Sequence, residues 1–427
     1  MLGSAAARDG AYVLAAQGLA TVVALVGERF LFRELAPGER GVLATVLGLR
    51  TVLLYLADFG IQLMTVRVGS LYIAKGMVAE ANAVFRRALV FRVLAAMGVA
   101  FVAVALSQVF CAQVLAEPDR RSLVFAAAAA LTGMTIVSWG LDVSQCRRRF
   151  GAYFIQYVVE SILRVAAIVY VLHWMTGFAS RRSETFLWMM GAGVTVAAML
   201  SILIERKAFA GVKGLGLAMT EKVSDELRAF IPYAAAATLL GAVTVNLYPE
   251  VFMMNRLRGP EETAVFEGAR RLGSLLPLII AGVATVLLPR ASALESLEQC
   301  RNYVRKTLKV TLPLAAVCAG GLALTAGFVV PWMWGARYDD SIAPLRWMCL
   351  AHALTFVATP LSFVLYPLKR PGLVVALNGM SLVLSVVVGW YMINRFGALG
   401  AAWSMLAIRL VTTAATGVVV WQSLRPR

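Results

Sequence analysis

The chain has 427 residues, 60% of them hydrophobic and only 15% charged, with a mean hydropathy of +0.78. So apolar a chain does not read as a soluble core, and the composition fits a helical bundle in a membrane. Its 40 basic and 23 acidic residues leave a net charge of +17. The excess is scattered over short connections without a basic domain or an aromatic-interleaved basic surface, which argues against nucleic acid and for membrane topology and anionic lipid.

A helix needs roughly 20 apolar residues to cross the hydrocarbon. By that measure twelve spans are expected, at 11–34, 41–69, 83–107, 122–146, 151–176, 184–204, 228–252, 263–289, 308–330, 343–367, 372–393 and 398–423. Ala5 to Ala7 precede the first apolar segment rather than follow it, so it reads as a retained span and not as a cleaved signal. The runs 41–69 and 263–289 exceed the minimum and are expected to tilt or to extend beyond the hydrocarbon.

Alternate connections differ in charge. One set, with both termini, holds 22 basic residues, among them Arg147, Arg148, Arg149, Lys213 and Lys222. The other holds 10: Arg33, Arg40, Arg120, Arg121, Arg181, Arg182, Arg256, Arg258, Arg337 and Arg395. Basic loops stay in the cytoplasm, so both ends are expected there. Trp174, Trp188, Trp332, Trp334, Trp347, Trp390 and Trp403 fall at span ends on the outer side and Trp421 on the inner, as an interfacial aromatic belt requires. The five cysteines and two histidines have no disulfide or metal spacing, and no metal or other cofactor is expected.

The chain also echoes itself. Leu35-Ala-Pro-Gly-Glu39 leads into the second span and Leu257-Arg-Gly-Pro-Glu261 into the eighth, 222 positions later. Two six-span lobes are therefore expected, an N-lobe over 1–205 and a C-lobe over 228–427, joined by a cytoplasmic linker at 206–227. An even number of spans per lobe gives both the same orientation, with the pseudo-twofold axis along the membrane normal and a working cavity between the lobes.

Ionisable groups inside spans carry the functional signal, because each costs about 2.5–3.5 kcal/mol at mid-membrane. Arg50, Asp58 and Gln62 share one face of the second span at intervals of eight and four; Gln17, Thr21 and Glu28 do the same on the first. The fifth span adds Glu160 and Arg164, and the eighth Glu267, Arg270 and Arg271. These last groups have the spacing of self-neutralising helical pairs, and Arg29, Arg50 and Arg92 have the snorkelling or carbonyl-packing alternative. Asp142 is expected to pair with Arg147, and Arg409 stands alone among threonines. Seven intramembrane arginines (Arg29, Arg50, Arg92, Arg164, Arg270, Arg271, Arg409) against five acids (Glu28, Asp58, Asp142, Glu160, Glu267) suit an anionic substrate whose phosphate oxygens a guanidinium grips bidentately.

Phe32-Arg-Glu-Leu-Ala-Pro-Gly-Glu-Arg-Gly41, Asp58-Phe-Gly60, Val265-Phe-Glu-Gly-Ala-Arg-Arg-Leu272, Leu288-Pro-Arg290 and Gly397-Ala-Leu-Gly-Ala-Ala402 together resemble the polysaccharide flippases of the multidrug/oligosaccharidyl-lipid/polysaccharide (MOP) superfamily. The resemblance implies an all-α integral membrane fold of two six-helix lobes. It further implies alternating-access movement of an undecaprenyl-pyrophosphate-linked oligosaccharide from the inner to the outer leaflet of a bacterial inner membrane, for lipopolysaccharide or exopolysaccharide assembly. Polysaccharide polymerase and chain-length regulator are its implied partners beside membrane lipid. In such proteins the first, second, seventh and eighth spans line the cavity, which here implies Glu28, Arg29, Arg50, Asp58, Glu267, Arg270 and Arg271; the usual eighth-span tyrosine is replaced by Phe266-Glu267. With Arg92 and Arg164, the arginines are the expected phosphate and sugar contacts. Glu28, Asp58, Glu160 and Glu267 are the expected coupling or cavity acids, for proton or sodium flow. A drug or cation antiporter, a lipid-linked cell-wall precursor flippase and a membrane polymerase remain as alternatives. No paired acid/base site and no GxxxxGK[ST] stretch supports an enzyme or a P-loop ATPase.

Overall fold

The computed structural model describes residues 4–174, 182–209, 249–292, 294, 296–365 and 371–424. Every regular element among them is helical. The expected linker from 210 onward, the seventh span up to 248, and Arg181, Lys369, Arg370, Arg425 and Arg427 lie outside them. Nine described helices are long and apolar enough to cross a membrane.

Residues 1–35 and 46–242 cluster as one compact unit, and 36–45 with 243–427 as a second. The first contains α1 (Ser4–Glu34), most of α2 (Pro37–Asp58), α3 (Ile61–Ala74), α4 (Val78–Ala105), α5 (Arg121–Cys146), α6 (Phe150–Trp174) and α7 (Arg182–Ile204). The second contains α8 (Pro249–Arg258), α9 (Pro260–Gly273), α10 (Leu275–Ser292), α11 (Leu297–Ala315), α12 (Gly321–Trp334), α13 (Ile342–Phe363) and the segment α14 (Pro371–Leu424). The opening turns of α2, Ala36–Thr45, thus group with the second unit although the rest of that helix groups with the first.

Both overlong runs are broken rather than tilted. The run 41–69 divides between α2 and α3 because Phe59 and Gly60 adopt positive φ, 46° and 83°, which ends an α-helix. Asp58 accepts the Gln62 N–H at 3.3 Å and so serves the exposed first turn of α3. The run 263–289 divides at Ser274, whose hydroxyl donates to the Arg271 carbonyl at 2.6 Å.

In the first unit α3, α4 and α5 enclose Ile61, Met64, Val68, Phe85, Ala88, Trp139 and Val143, and the Trp139 indole N–H donates to the Phe85 carbonyl at 2.7 Å. In the second, Trp334 is fully buried and donates to the Gly268 carbonyl at 3.0 Å. This corrects its place in the aromatic belt: the indole N–H found a helix carbonyl inside the protein rather than the headgroup level.

The echoed segments meet. A Cβ on Gly41 would lie 1.7 Å from the Pro260 carbonyl oxygen, and one on Gly38 3.9 Å from Glu261 Cγ. The start of α2 therefore rests directly on the start of α9. Farther along, α14 is two helices that meet at Gly397, with φ 57° and ψ −135°. There Glu262 Oε1 accepts the Ala398 N–H at 3.0 Å, and the same carboxylate, 1.5 Å from where a Cβ would be, fills the space beside Gly397. Gly397→Ala combines a left-handed φ with displacement of that cap. It should lower stability by about 1–3 kcal/mol, read as the melting temperature of purified protein against Gly320→Ala, a glycine with open space around it.

Candidate functional site

The second unit gathers arginine. Glu267, 1% exposed, accepts from Arg270 Nε and Nη2 at 2.6 Å each and from Arg271 Nε at 2.7 Å. Arg40, from the opening of α2 and wholly buried, also acts on Glu267. On the neighbouring helix Glu250, buried, accepts the Ser385 hydroxyl at 2.5 Å and feels both Arg409 and Arg270. Arg409 is half-buried, lies within electrostatic reach of His352 as well, and forms no ion pair with a described residue. Four guanidinium groups thus act on two carboxylates. Arg270 links the two parts.

The self-neutralising spacing of Glu267, Arg270 and Arg271 does form the expected pairs, with both guanidinium groups on one carboxylate. Arg40 and Arg409 bring two more guanidinium groups within electrostatic reach of the same pair of carboxylates. Such a cluster attracts an oxyanion of more than one negative charge.

One cluster in the first unit has the opposite make-up, two acids about one arginine. Arg92, 1% exposed, donates through Nη2 to Asp142 Oδ2 at 2.7 Å, and the same nitrogen lies 2.9 Å from Asp58 Oδ1 in an ion pair. Gln62 Nε2 donates to Asp142 Oδ1 at 3.2 Å. Four helices, α2 to α5, are tied at this point. Arg92, expected among the substrate-holding arginines, is instead enclosed in the triad, where a phosphate does not reach it. Asp142 likewise pairs with Arg92 and not with Arg147.

Arg147 is taken by Glu205, which sequence reading passed over because it stands alone at the end of an apolar run. Glu205 is fully buried and accepts from Ser144 Oγ at 2.6 Å and from Arg147 at 3.0 Å, with Arg149 at 3.4 Å. Gln156 Nε2 donates to Ser144 Oγ at 2.8 Å and Arg147 Nη2 to Asn82 at 2.7 Å. This network fastens α4, α5, α6 and the end of α7. Glu250 was missed for the same reason.

Between α1 and α6 a third group forms. Arg164 donates to Glu160 at 2.6 Å, and Glu28 lies within its field. Tyr153 and Tyr157 stack one turn away with centroids 5.9 Å apart. Gly27 permits the close approach, since a Cβ there would meet Ile168 and Val165 at 2.8 and 2.9 Å. Arg29 is half-buried beside Glu28. Arg50, 7% exposed, donates to the Met190 sulfur at 3.1 Å, a weak acceptor for a charged donor. The structure therefore brings Arg270, Arg271 and Glu267 together, Glu28 with Glu160 and Arg164, and Asp58 with Arg92.

Long apolar helices, buried charge networks and a helix order shared over nearly the whole length define a multi-pass membrane protein with the fold of the MOP superfamily. The chain is similar to an inward-facing multidrug resistance MATE family transporter of that superfamily (TM-score 0.70, 13% identity, 96% of this chain and 95% of the other). It is similar also to the lipid II flippase MurJ in an inward closed conformation (TM-score 0.71, 10% identity, 95% and 86%), and to a MOP superfamily transporter from Pyrococcus furiosus Vc1 (TM-score 0.62, 14% identity, 99% and 96%). No curated protein sequence matches it. The family described as polysaccharide biosynthesis protein matches residues 6–295, and the chain belongs to that family. The resemblance carried by the Phe32–Gly41 and Val265–Leu272 motifs is thus shown, as to family and fold.

Proposed function

We propose that this protein is a transporter, not an enzyme, that moves an undecaprenyl-pyrophosphate-linked oligosaccharide from the inner to the outer leaflet by alternating access. The observation that supports the reading is the gathering of four guanidinium groups in the second unit: among the described residues Arg40, Arg270, Arg271 and Arg409 act on Glu250 and Glu267. A pyrophosphate diester is a membrane-resident anion with oxygens for several guanidinium groups. Membership of the polysaccharide biosynthesis family supports the saccharide, and likeness to a protein named as a lipid II flippase supports the lipid carrier. Arg29 and Arg50 are proposed as further contacts along the path, and Glu28, Glu160 and Asp58 as acids serving proton or sodium coupling. The setting is a bacterial inner membrane with both termini cytoplasmic, where lipopolysaccharide or exopolysaccharide assembly, with a polymerase and chain-length regulator, draws the product onward.

One charge-assisted hydrogen bond to phosphate is worth about 1.5–3 kcal/mol, or roughly 10- to 150-fold in affinity. Arg409→Ala should therefore cut surface polysaccharide by about tenfold or more and cause lipid-linked oligosaccharide to accumulate, while purified protein melts as the wild type does. Arg270→Lys, which keeps the charge and loses the bidentate fork, should fall between Arg270→Ala and wild type. Normal export by Arg409→Ala and Arg270→Ala alike would remove the anion site. A cell-wall precursor carries the same pyrophosphate lipid; loss of growth rather than of surface polysaccharide would identify it.

A further inference from the structure

In the triad of Asp58, Arg92 and Asp142 two acids face one base. Asp58 is 9% exposed, Asp142 1% and Arg92 1%, so two carboxylates and one guanidinium share a site from which water is almost excluded. Arg92 serves both acids through Nη2, while its Nε and Nη1 are buried with no hydrogen-bond partner among the described residues. The bidentate grip that would best neutralise either acid is therefore not made. Apolar packing surrounds the triad: Leu53, Ala57, Ala96 and Leu131 on one side, Phe85, Ala88, Trp139 and Val143 on the other. An uncompensated charge in such surroundings is expensive enough that the group neutralises instead. Two carboxylates that share a site do so by sharing one proton and titrating as a unit.

We infer that Asp58 and Asp142 hold one exchangeable proton between them across Arg92, and that this pair is where a proton enters the transport cycle. The second half rests on the transport reading above; the first does not. The geometry also separates proton from sodium. Arg92 Nη2 occupies the position between the carboxylates, 2.7 and 2.9 Å from each, where a metal cation would have to sit, and its charge repels one. A proton needs only a carboxylate oxygen. Asp142 Oδ1 is the better placed, since it faces the side-chain amide of Gln62 at 3.2 Å, and that amide can turn its oxygen to accept from a protonated acid. The titratable or polar groups around the pair are Arg92 on α4, Gln62 on α3, Cys146 on α5 and Tyr153 on α6, the last two within reach of the Asp142 charge. Neither brings a second cation. Release of the proton leaves two negative charges beside one positive charge at the junction of α2 and α3, where Asp58 also serves the first turn after the Phe59–Gly60 break. Protonation is thereby wired to a helix break, the kind of element that two conformations of a transporter can use differently.

Infrared spectroscopy of the purified full-length protein in lipid nanodiscs, titrated from acid to alkaline pH, tests this without any transport substrate. The wild type should show a protonated-carboxyl C=O band near neutral pH that vanishes on alkalinisation. Asp142→Asn and Asp58→Asn should each lose that band, because the remaining acid is balanced by Arg92 and stays ionised, and each should melt within a few degrees of the wild type. Asp58→Asn/Asp142→Asn, which strands Arg92, should melt far lower. Loss of the band in either folded single variant supports the shared proton. A band unchanged in both single variants, no such band in the wild type, or a wild-type spectrum that shifts on adding sodium chloride but not potassium chloride would overturn it. Export of polysaccharide, measured separately, decides the transport reading whatever the spectra show.

Discussion

Arg92→Ala is expected to destabilise the protein by about 3–5 kcal/mol, the usual cost of removing one partner from a buried ion pair. The substitution leaves Asp58 and Asp142 facing each other in apolar packing, with Gln62 as their one remaining side-chain donor among the bonds described. The penalty comes from the stranded charges more than from lost attraction, so it should be recoverable. Arg92→Met combined with Asp58→Asn and Asp142→Asn removes every formal charge while keeping the volumes near those of the original side chains. That triple variant should regain most of the melting temperature lost in Arg92→Ala. Equal melting of Arg92→Ala and wild type would mean that the triad holds nothing together.

Gly41→Ala should be comparably damaging for a purely steric reason. The added methyl would lie 1.7 Å from the Pro260 carbonyl oxygen and 2.9 Å from its Cα. A backbone carbonyl at the start of a helix has no rotamer to yield with, so the start of α2 must lift away from α9. Overpacking of this kind costs about 1–3 kcal/mol and more where backbone must move; the upper end is expected. Arg40, next in sequence, would move with it, so anion binding should weaken together with stability. Gly18→Ala is the matched control, since nothing lies within 4 Å of its Cβ position. Replacing a helical glycine by alanine there should gain up to about 1 kcal/mol. Detergent-solubilised protein scanned by intrinsic fluorescence would rank the two.

Membrane character and helicity were legible because bilayer thickness imposes a run length that composition alone reveals, and the family through the resemblance carried by motifs such as Phe32–Gly41 and Val265–Leu272. The echo of Leu35–Glu39 in Leu257–Glu261 was legible too, and the structure adds what no pattern could say: the two segments lie against each other. Helix breaks were not legible. Phe59-Gly60 sits within a run apolar enough to read as one span despite Asp58 and Gln62, and hydropathy carries no information on the sign of φ.

Partner choice was the other blind spot. Arg147 follows Asp142 by five positions, yet the carboxylate bonds to Arg92, fifty positions away on α4, because helix packing and not chain proximity decides which charges meet. Trp334 looked interfacial by its place at a span end and proved to be core. Arg40 was counted with an external loop, although its position inside the Phe32–Gly41 motif hinted at a structured role. Glu205 and Glu250 each stand at the edge of an apolar run, where a single acid looks like ordinary topology. Their burial is a consequence of three-dimensional packing alone.

The proposed hold of the second unit on a polyanionic headgroup runs through Arg40, Arg270, Arg271 and Arg409. It is tested most directly by binding of undecaprenyl pyrophosphate, free of sugar, to the purified protein in detergent micelles. Wild-type protein should bind it with an affinity that weakens as salt is raised, Arg409→Ala should lose roughly 10- to 150-fold, and undecaprenol, which has no phosphate, should not compete. Equal affinity of wild type and Arg409→Ala, or full competition by undecaprenol, would contradict the account.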